Sequence, residues 1–225
     1  MSGYIELHAR SAFSFLEGAS VPEELIAACI THDMPAMALL DRDGVYGAPR
    51  FYLAAKKVGI KAHIGAEITV KVQRPISNVQ CRRQDFGLWT LDFGQSVITI
   101  PVLARSRIGY QNLCRLITLM KLRVPKHAKP GECAVTPAEL ATHAEGLICL
   151  TGGTDGPLAQ VIHQRDTENT ERTQRVAEWL IDVFGKGNVY AELQRHFNRQ
   201  EEARNQALLE LARRQRLPLL ATNGV

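Results

Sequence analysis

An α/β fold in which seven strands close, or nearly close, into a barrel is what this 225-residue sequence predicts. Three observations lead to it. Seven short apolar runs bounded by turn residues recur along the chain, and helical patterns with start signals separate them. Acidic, imidazole and guanidinium groups gather where the early runs give way to small-residue turns, which is where parallel α/β folds collect their chemistry.

The strand-like runs are Ile5–His8, Ala36–Leu40, Ala62–Val70, Ile98–Ala104, Leu147–Leu150, Val189–Leu193 and Leu217–Ala221. After the first, Ser20-Val21-Pro22-Glu23 reads as a capping box with proline in the opening turn, and Thr136-Pro137-Ala138-Glu139 repeats the device before the fifth. Glu171 and Arg175 stand one turn apart on a later helix whose Val176, Leu180 and Val183 face inward, and Glu201 to Arg213 forms the last helix. Strands separated by helices pair in parallel, and seven of them favour a barrel over an open sheet. Residues 73–95 and 123–132 break the rhythm and read as surface insertions within a single domain spanning 1–225. An apolar strand ends the sequence at Val225 with no helix to cover it, so a fragment of a longer protein is expected.

Composition removes several classes. At 45% hydrophobic the chain can bury a full core. No apolar run reaches the roughly 18 residues of a membrane helix, and the N-terminus carries no secretory pattern, so a cytoplasmic protein with no membrane partner is expected. The five cysteines, Cys29, Cys81, Cys114, Cys133 and Cys149, are scattered and odd in number, which favours reduced thiols over a disulfide framework or zinc knuckle. A net charge of +4 permits nucleic-acid binding without arguing for it.

A set of ordered motifs carries a family resemblance. The segments Glu6-Leu7-His8-x-x-Ser11-x-Phe13-Ser14, Leu39-Leu40-Asp41-Arg42-Asp43-Gly44-Val45-Tyr46-Gly47 and Gly65-Ala66-Glu67 are followed by Gly109-Tyr110-Gln111-Asn112-Leu113, Thr151-Gly152-Gly153, Glu192-Leu193-Gln194-Arg195-His196 and Ala221-Thr222-Asn223-Gly224-Val225. Together they resemble the polymerase and histidinol phosphatase (PHP) domain at the start of bacterial C-family DNA polymerase III alpha subunits, closest to the error-prone, damage-induced branch. The resemblance implies a PHP-type distorted (β/α)7 TIM-like barrel. It also implies a role in DNA replication and translesion repair, with the rest of a polymerase chain as partner and DNA contacted through the full-length protein. The family's polymerase core would lie beyond Val225, so this stretch by itself is not expected to synthesise DNA.

Members of that family with an intact site hold divalent metals on histidine and acidic side chains. By that resemblance the ligand-like positions kept here are His8, Glu17, Glu67 and His196. Arg10 stands where a second histidine of the first strand belongs and Arg42 where one follows Asp41. Thr99 or its neighbours stand in place of another histidine, Gly153 in place of a cysteine and Gly224 in place of an aspartate. Arginine is permanently cationic and has no lone pair to offer, so neither guanidinium is a ligand. Both can instead neutralise Glu17, Asp41, Asp43 and Glu67 through ion pairs, which predicts a mouth filled by arginine with no cofactor. The competing reading keeps one zinc or manganese ion on His8, Glu67 and His196 and makes the chain a phosphoesterase, either a 3′–5′ exonuclease or a pyrophosphatase. A stand-alone histidinol-phosphatase-like hydrolase is a third.

His63 shares a strand face with Glu67 and is a possible extra ligand, against the plainer reading of a hydrogen-bonded barrel histidine. His32, His127, His143 and His163 have no partner spacing and are expected at the surface. The turn Thr151 to Pro157 lacks the Gly-Lys-Ser/Thr of a phosphate loop and reads as a strand-to-helix turn capped by Asp155. The basic residues Arg82-Arg83 and Lys121 to Lys129 read as solvated loops that could meet DNA or a neighbouring domain.

Overall fold

The computed structural model describes residues 3–72, 97–125, 132–154, 156–162, 167–199 and 201–225. The insertion at 73–95, most of that at 123–132, and Cys81, Arg82, Arg83, His127, Asp155 and His163 lie outside them. All seven apolar runs are strands: β1 (Glu6–Ala9), β2 (Ala36–Arg42), β3 (Lys61–Lys71), β4 (Val97–Ala104), β5 (Leu147–Leu150), β6 (Val189–Leu193) and β7 (Leu219–Ala221). They form one curled sheet in the order β1-β2-β3-β4-β5-β6-β7. Its two ends are bridged by the Arg10 amide, which donates to the Val225 carbonyl at 2.6 Å, and by the Asn223 amide, which donates to Glu6 at 2.8 Å.

The expectation of uniformly parallel pairing fails at one strand. β4 runs antiparallel to both β3 and β5, while the other neighbouring pairs are parallel. A parallel partner needs a crossover long enough to return the chain to its starting end, usually a helix. The polar stretch between β3 and β4 offers no helical pattern in the sequence.

Among the described residues seven helices cover the outer face: α1 (Pro22–Thr31), α2 (Ala48–Val58), α3 (Arg107–Arg123), α4 (Pro137–Thr142), α5 (Ala159–Ile162), α6 (Thr167–Phe184) and α7 (Glu201–Gln215). The α4 capping box forms as expected, with Glu139 N donating to Thr136 Oγ1 at 3.3 Å and Thr136 N to Glu139 Oε2 at 2.8 Å. At α1 the predicted box is one residue early. Val21 is the N-cap, its amide donates to Glu24 at 3.0 Å, and valine offers no acceptor to complete the pair. Arg123 ends α3 instead of opening a loop. The Glu171–Arg175 pair on α6 forms at 3.6 Å on the exposed face, and Val176 and Leu180 are buried. No helix of the described residues is long and apolar enough to cross a membrane.

Three apolar clusters result among the described residues. Helices α1 and α2 pack on the outer face of β1 and β2 through Leu25, Ile26, Phe51 and Ala55 against Met37 and Leu39. Helices α3, α4, α6 and α7 cover β3 to β6. Inside the curl, Ala38, Leu40, Leu103 and Leu150 meet Leu7, Ile148, Tyr190 and Leu220. Side chains alternate along a strand, so this small inner core fixes what stands above it. Two residues further toward the rim, Leu40 is succeeded by Arg42, Gly65 by Glu67, Tyr190 by Glu192 and Leu220 by Thr222. A layer of polar side chains therefore sits on an apolar floor.

Candidate functional site

His8 lies at the centre of this layer and is 2% exposed. Its Nε2 is 2.6 Å from Glu67 Oε1 and its Nδ1 is 2.6 Å from Glu192 Oε1. An ionised carboxylate only accepts hydrogen bonds, and a neutral imidazole donates from one nitrogen alone, so two such contacts require protons on both nitrogens. Burial opposes the charge, but Glu192 and then Glu67 overcome it and push the His8 pKa up to about 10. His8 is thus a cation here, with no ring lone pair to share.

Glu67 receives a second cation. Arg10 donates from Nε to Oε2 at 3.0 Å and from Nη2 to Oε1 at 2.7 Å, a bidentate grip. Burial would raise the Glu67 pKa, yet the hydrogen bonds from His8 and Arg10 hold it at about 2. Arg42 lies alongside, its Nε 3.6 Å from Glu67 Oε2. Its guanidinium donates chiefly to Glu17, from Nε at 3.1 Å and from Nη2 at 3.2 Å, and Nη1 donates to Thr99 Oγ1.

The two aspartates take their hydrogen bonds from amides and hydroxyls and not from the expected arginines, although the Arg42 charge still acts on Asp43. Asp41, 1% exposed, accepts from Ser11 N at 2.9 Å, Ser11 Oγ at 2.7 Å, Ser14 Oγ at 3.0 Å and Gly47 N at 2.9 Å. It thereby ties the β1–α1 turn to the β2–α2 turn. Asp43 accepts from Thr69 N at 2.7 Å and Thr69 Oγ1 at 2.8 Å and fastens the end of β2 to β3. Burial raises the Asp43 pKa. Its φ of 49° is one that aspartate tolerates in a turn. Both carboxylates aim the loops that carry Arg10, Glu17 and Arg42.

His196 does not join His8 and Glu67. Its Nδ1 is 2.8 Å from Glu201 Oε1 and its Nε2 2.5 Å from the Asn223 carbonyl, a clamp between α7 and the chain beyond β7. The Asn223 carbonyl, then Glu201, raise its pKa. His63 is half-buried near the start of β3, four residues or about 13 Å along the strand from Glu67. Burial and Lys61 lower its pKa. His32 is exposed, and His143 is half-buried with Nδ1 2.8 Å from the Glu139 carbonyl.

Glu192 is the site residue that the sequence reading passed over. It accepts from His8 Nδ1, from Gln194 Nε2 at 3.0 Å and from Thr222 Oγ1, all on Oε1. Its Oε2 is buried with no hydrogen-bond partner among the described residues. Burial would raise its pKa, but the His8 charge, then bonds from His8, Thr222 and Gln194, lower it. The available signal was a lone carboxylate inside the apolar run Val189-Tyr190-Ala191-Glu192-Leu193, a placement that calls for a buried partner. Among the described residues no group of three or more His, Cys, Asp or Glu side chains is arranged to hold a metal ion.

Comparison with known proteins places this geometry. A family model described as PHP domain matches residues 6–196. The error-prone DNA polymerase of Nocardia farcinica is 33% identical over 98% of this chain and 21% of its own length. That of Mycolicibacterium paratuberculosis is 34% identical over 98% of this chain and 18% of its own. The DNA polymerase III subunit alpha of Vibrio cholerae is 32% identical over 99% of this chain and 17% of its own. The chain thus spans about a fifth of the length of the curated relatives it matches. A crystal structure of a protein designated a metal-dependent phosphoesterase, from Bifidobacterium adolescentis, superposes with a TM-score of 0.52 at 13% identity, covering 98% of this chain and 86% of that one. An amidohydrolase from Chromobacterium violaceum gives 0.51 at 14% identity with the same coverage. At such identities the two structures speak for the fold alone. With a curled seven-stranded sheet, a polar layer at one rim and a family match over most of its length, the chain belongs to the PHP domain family.

Proposed function

We propose that the chain, as one domain over residues 1–225, is the N-terminal PHP domain of an error-prone DNA polymerase III alpha-like subunit. In this reading it works inside a longer polymerase chain, in the cytoplasm, in DNA replication and translesion repair. Its rim is held by the protein's own cations in place of divalent metals, and its role is to scaffold the polymerase. The similarity to error-prone polymerases and to DNA polymerase III alpha supports the first part. The bidentate Arg10–Glu67 pair carries the second.

The donor set does not suit a divalent cluster. Both nitrogens of His8 and both oxygens of Glu67 already hold partners, Glu17 faces Arg42, and His196 faces Glu201 and Asn223. Glu192 Oε2 is left, and one oxygen is not a coordination sphere. Two guanidinium groups nearby would also repel a divalent ion. A fixed charge network needs no ion to hold the loops, which suits a scaffold.

Purified protein grown with added zinc and manganese provides the test, by elemental analysis and by hydrolysis assays on single-stranded DNA, pyrophosphate and small phosphate esters. The expected result is metal far below one equivalent and no chelator-sensitive hydrolysis. Stoichiometric metal together with hydrolysis abolished by His8→Ala would establish the phosphoesterase reading instead.

A further inference from the structure

Beside Glu192, on the same face of the sheet, stands a side chain with an unusual fit. Gln194 is 7% exposed, and its Nε2 donates to Glu192 Oε1 at 3.0 Å and to Thr222 Oγ1 at 3.4 Å. Its carboxamide lies against two glycines from different turns. A Cβ added to Gly153 would fall 2.7 Å from Gln194 Cδ and closer still to Oε1. A Cβ added to Gly224 would fall 2.6 Å from Gln194 Nε2 and 3.1 Å from Cδ. Gly224 also has a φ of 65°, where a side chain is strained. One buried amide therefore fills the space that two side chains would need.

Moving Gln194 aside is costly. Its amide donates to Glu192 Oε1 beside His8 Nδ1 and Thr222 Oγ1, so displacing it strips a buried carboxylate of one of the three donors it has among the described residues and leaves a buried amide to find another partner. Asn205 Nδ2 also donates to the Gln194 carbonyl at 2.9 Å, which fixes the backbone from α7.

We propose that Gln194 is a positioning residue of the rim: its carboxamide plugs the volume over Gly153 and Gly224, and so bars ligating side chains from both positions while it orients Glu192. The inner half of the site thus holds a neutral amide where, by the family resemblance, a cysteine and an aspartate would be expected. The proposal deepens the charge-compensated reading above, but its steric core can be tested apart from it.

The test is a cycle of variants of this chain, followed by thermal unfolding. Gly153→Ala alone is expected to lower Tm by about 3–10 °C, the cost of overpacking the added methyl against the Gln194 carboxamide in a domain of this size. In a Gln194→Ala background the same change should cost no more than about 1 °C. Gln194→Met, which keeps the volume and loses the donor, should retain the penalty. Gln194→Ala should also displace the His8 ring 15N resonances, which Leu180→Ala on α6 should leave in place. A Gly153→Ala chain as stable as the parent would overturn the proposal. So would an equal penalty in both backgrounds, or His8 resonances indifferent to Gln194. Elemental analysis of the same preparations keeps the two ideas apart, because bound metal in the parent chain would overturn the charge-compensated reading whatever the cycle gives.

Discussion

Arg10 and Glu67 meet face to face across β1 and β3, guanidinium Nε and Nη2 on the two carboxylate oxygens at 3.0 and 2.7 Å. Glu67 is 1% exposed and Arg10 about 20%, so the pair is one buried charge capped by one half-wet charge. Removing the cap leaves a buried carboxylate with His8 as its main partner. Arg10→Ala should destabilise by about 2–4 kcal/mol in urea unfolding, and Arg10→Ala with Glu67→Gln should cost less than the two single losses added together. Additive losses would mean the pair contributes little.

Stability should depend on pH in two windows. His8 has a folded pKa raised to about 10 from 6.5, so its contribution is complete below about 6.5 and fades as pH climbs toward 10. Glu67 has one lowered to about 2 from 4.5, so its contribution is complete above about 4.5 and fades as pH falls toward 2. Urea midpoints should therefore peak between these limits. His8→Gln should flatten the alkaline limb and leave most of the acid limb, a pattern that a surface origin of the alkaline loss would not give.

Among the described residues Asp41 organises two loops with four bonds and no ion pair. Asp41→Asn turns an acceptor into a donor facing the Ser11 or Gly47 amide. It should cost about 2–3 kcal/mol and raise proteolytic nicking in the β1–α1 turn, as seen by limited digestion and mass spectrometry. An unchanged digestion pattern would remove Asp41 from this role.

The His196 and His8 rings share no partner: His196 holds Glu201 and the Asn223 carbonyl, His8 holds Glu67 and Glu192. The stability losses of His8→Gln and His196→Ala should add to within about 0.5 kcal/mol in the double variant. A coupling above about 1 kcal/mol would bring His196 back into the central cluster.

Much of the fold was legible because it rests on local patterns. Leu147–Leu150 and Val189–Leu193 are strands at the predicted residues, and Thr136 with Glu139 caps a helix as its spacing implied. Strand direction was not legible, since alternation reads the same both ways. The one hint for β4 was the missing helical pattern before it. At the rim, residue type told that arginine could not ligate, but partner choice depends on which turn faces which. Glu17 and Glu67 pair with the arginines, whereas Asp41 and Asp43 take hydroxyl and amide donors from turns and strands distant in sequence. Glu192 was hidden for the same reason, because His8 lies 184 residues away.

The central claim is that an imidazolium and two guanidiniums balance the carboxylates that metals would otherwise serve. The most direct measurement is 15N NMR of the His8 ring across pH, with and without added zinc. Both ring nitrogens should carry protons through neutral pH, titrate near 10, and ignore zinc. A His8 ring with one bare nitrogen at pH 7, or one whose signals move with an equivalent of zinc, would contradict the account.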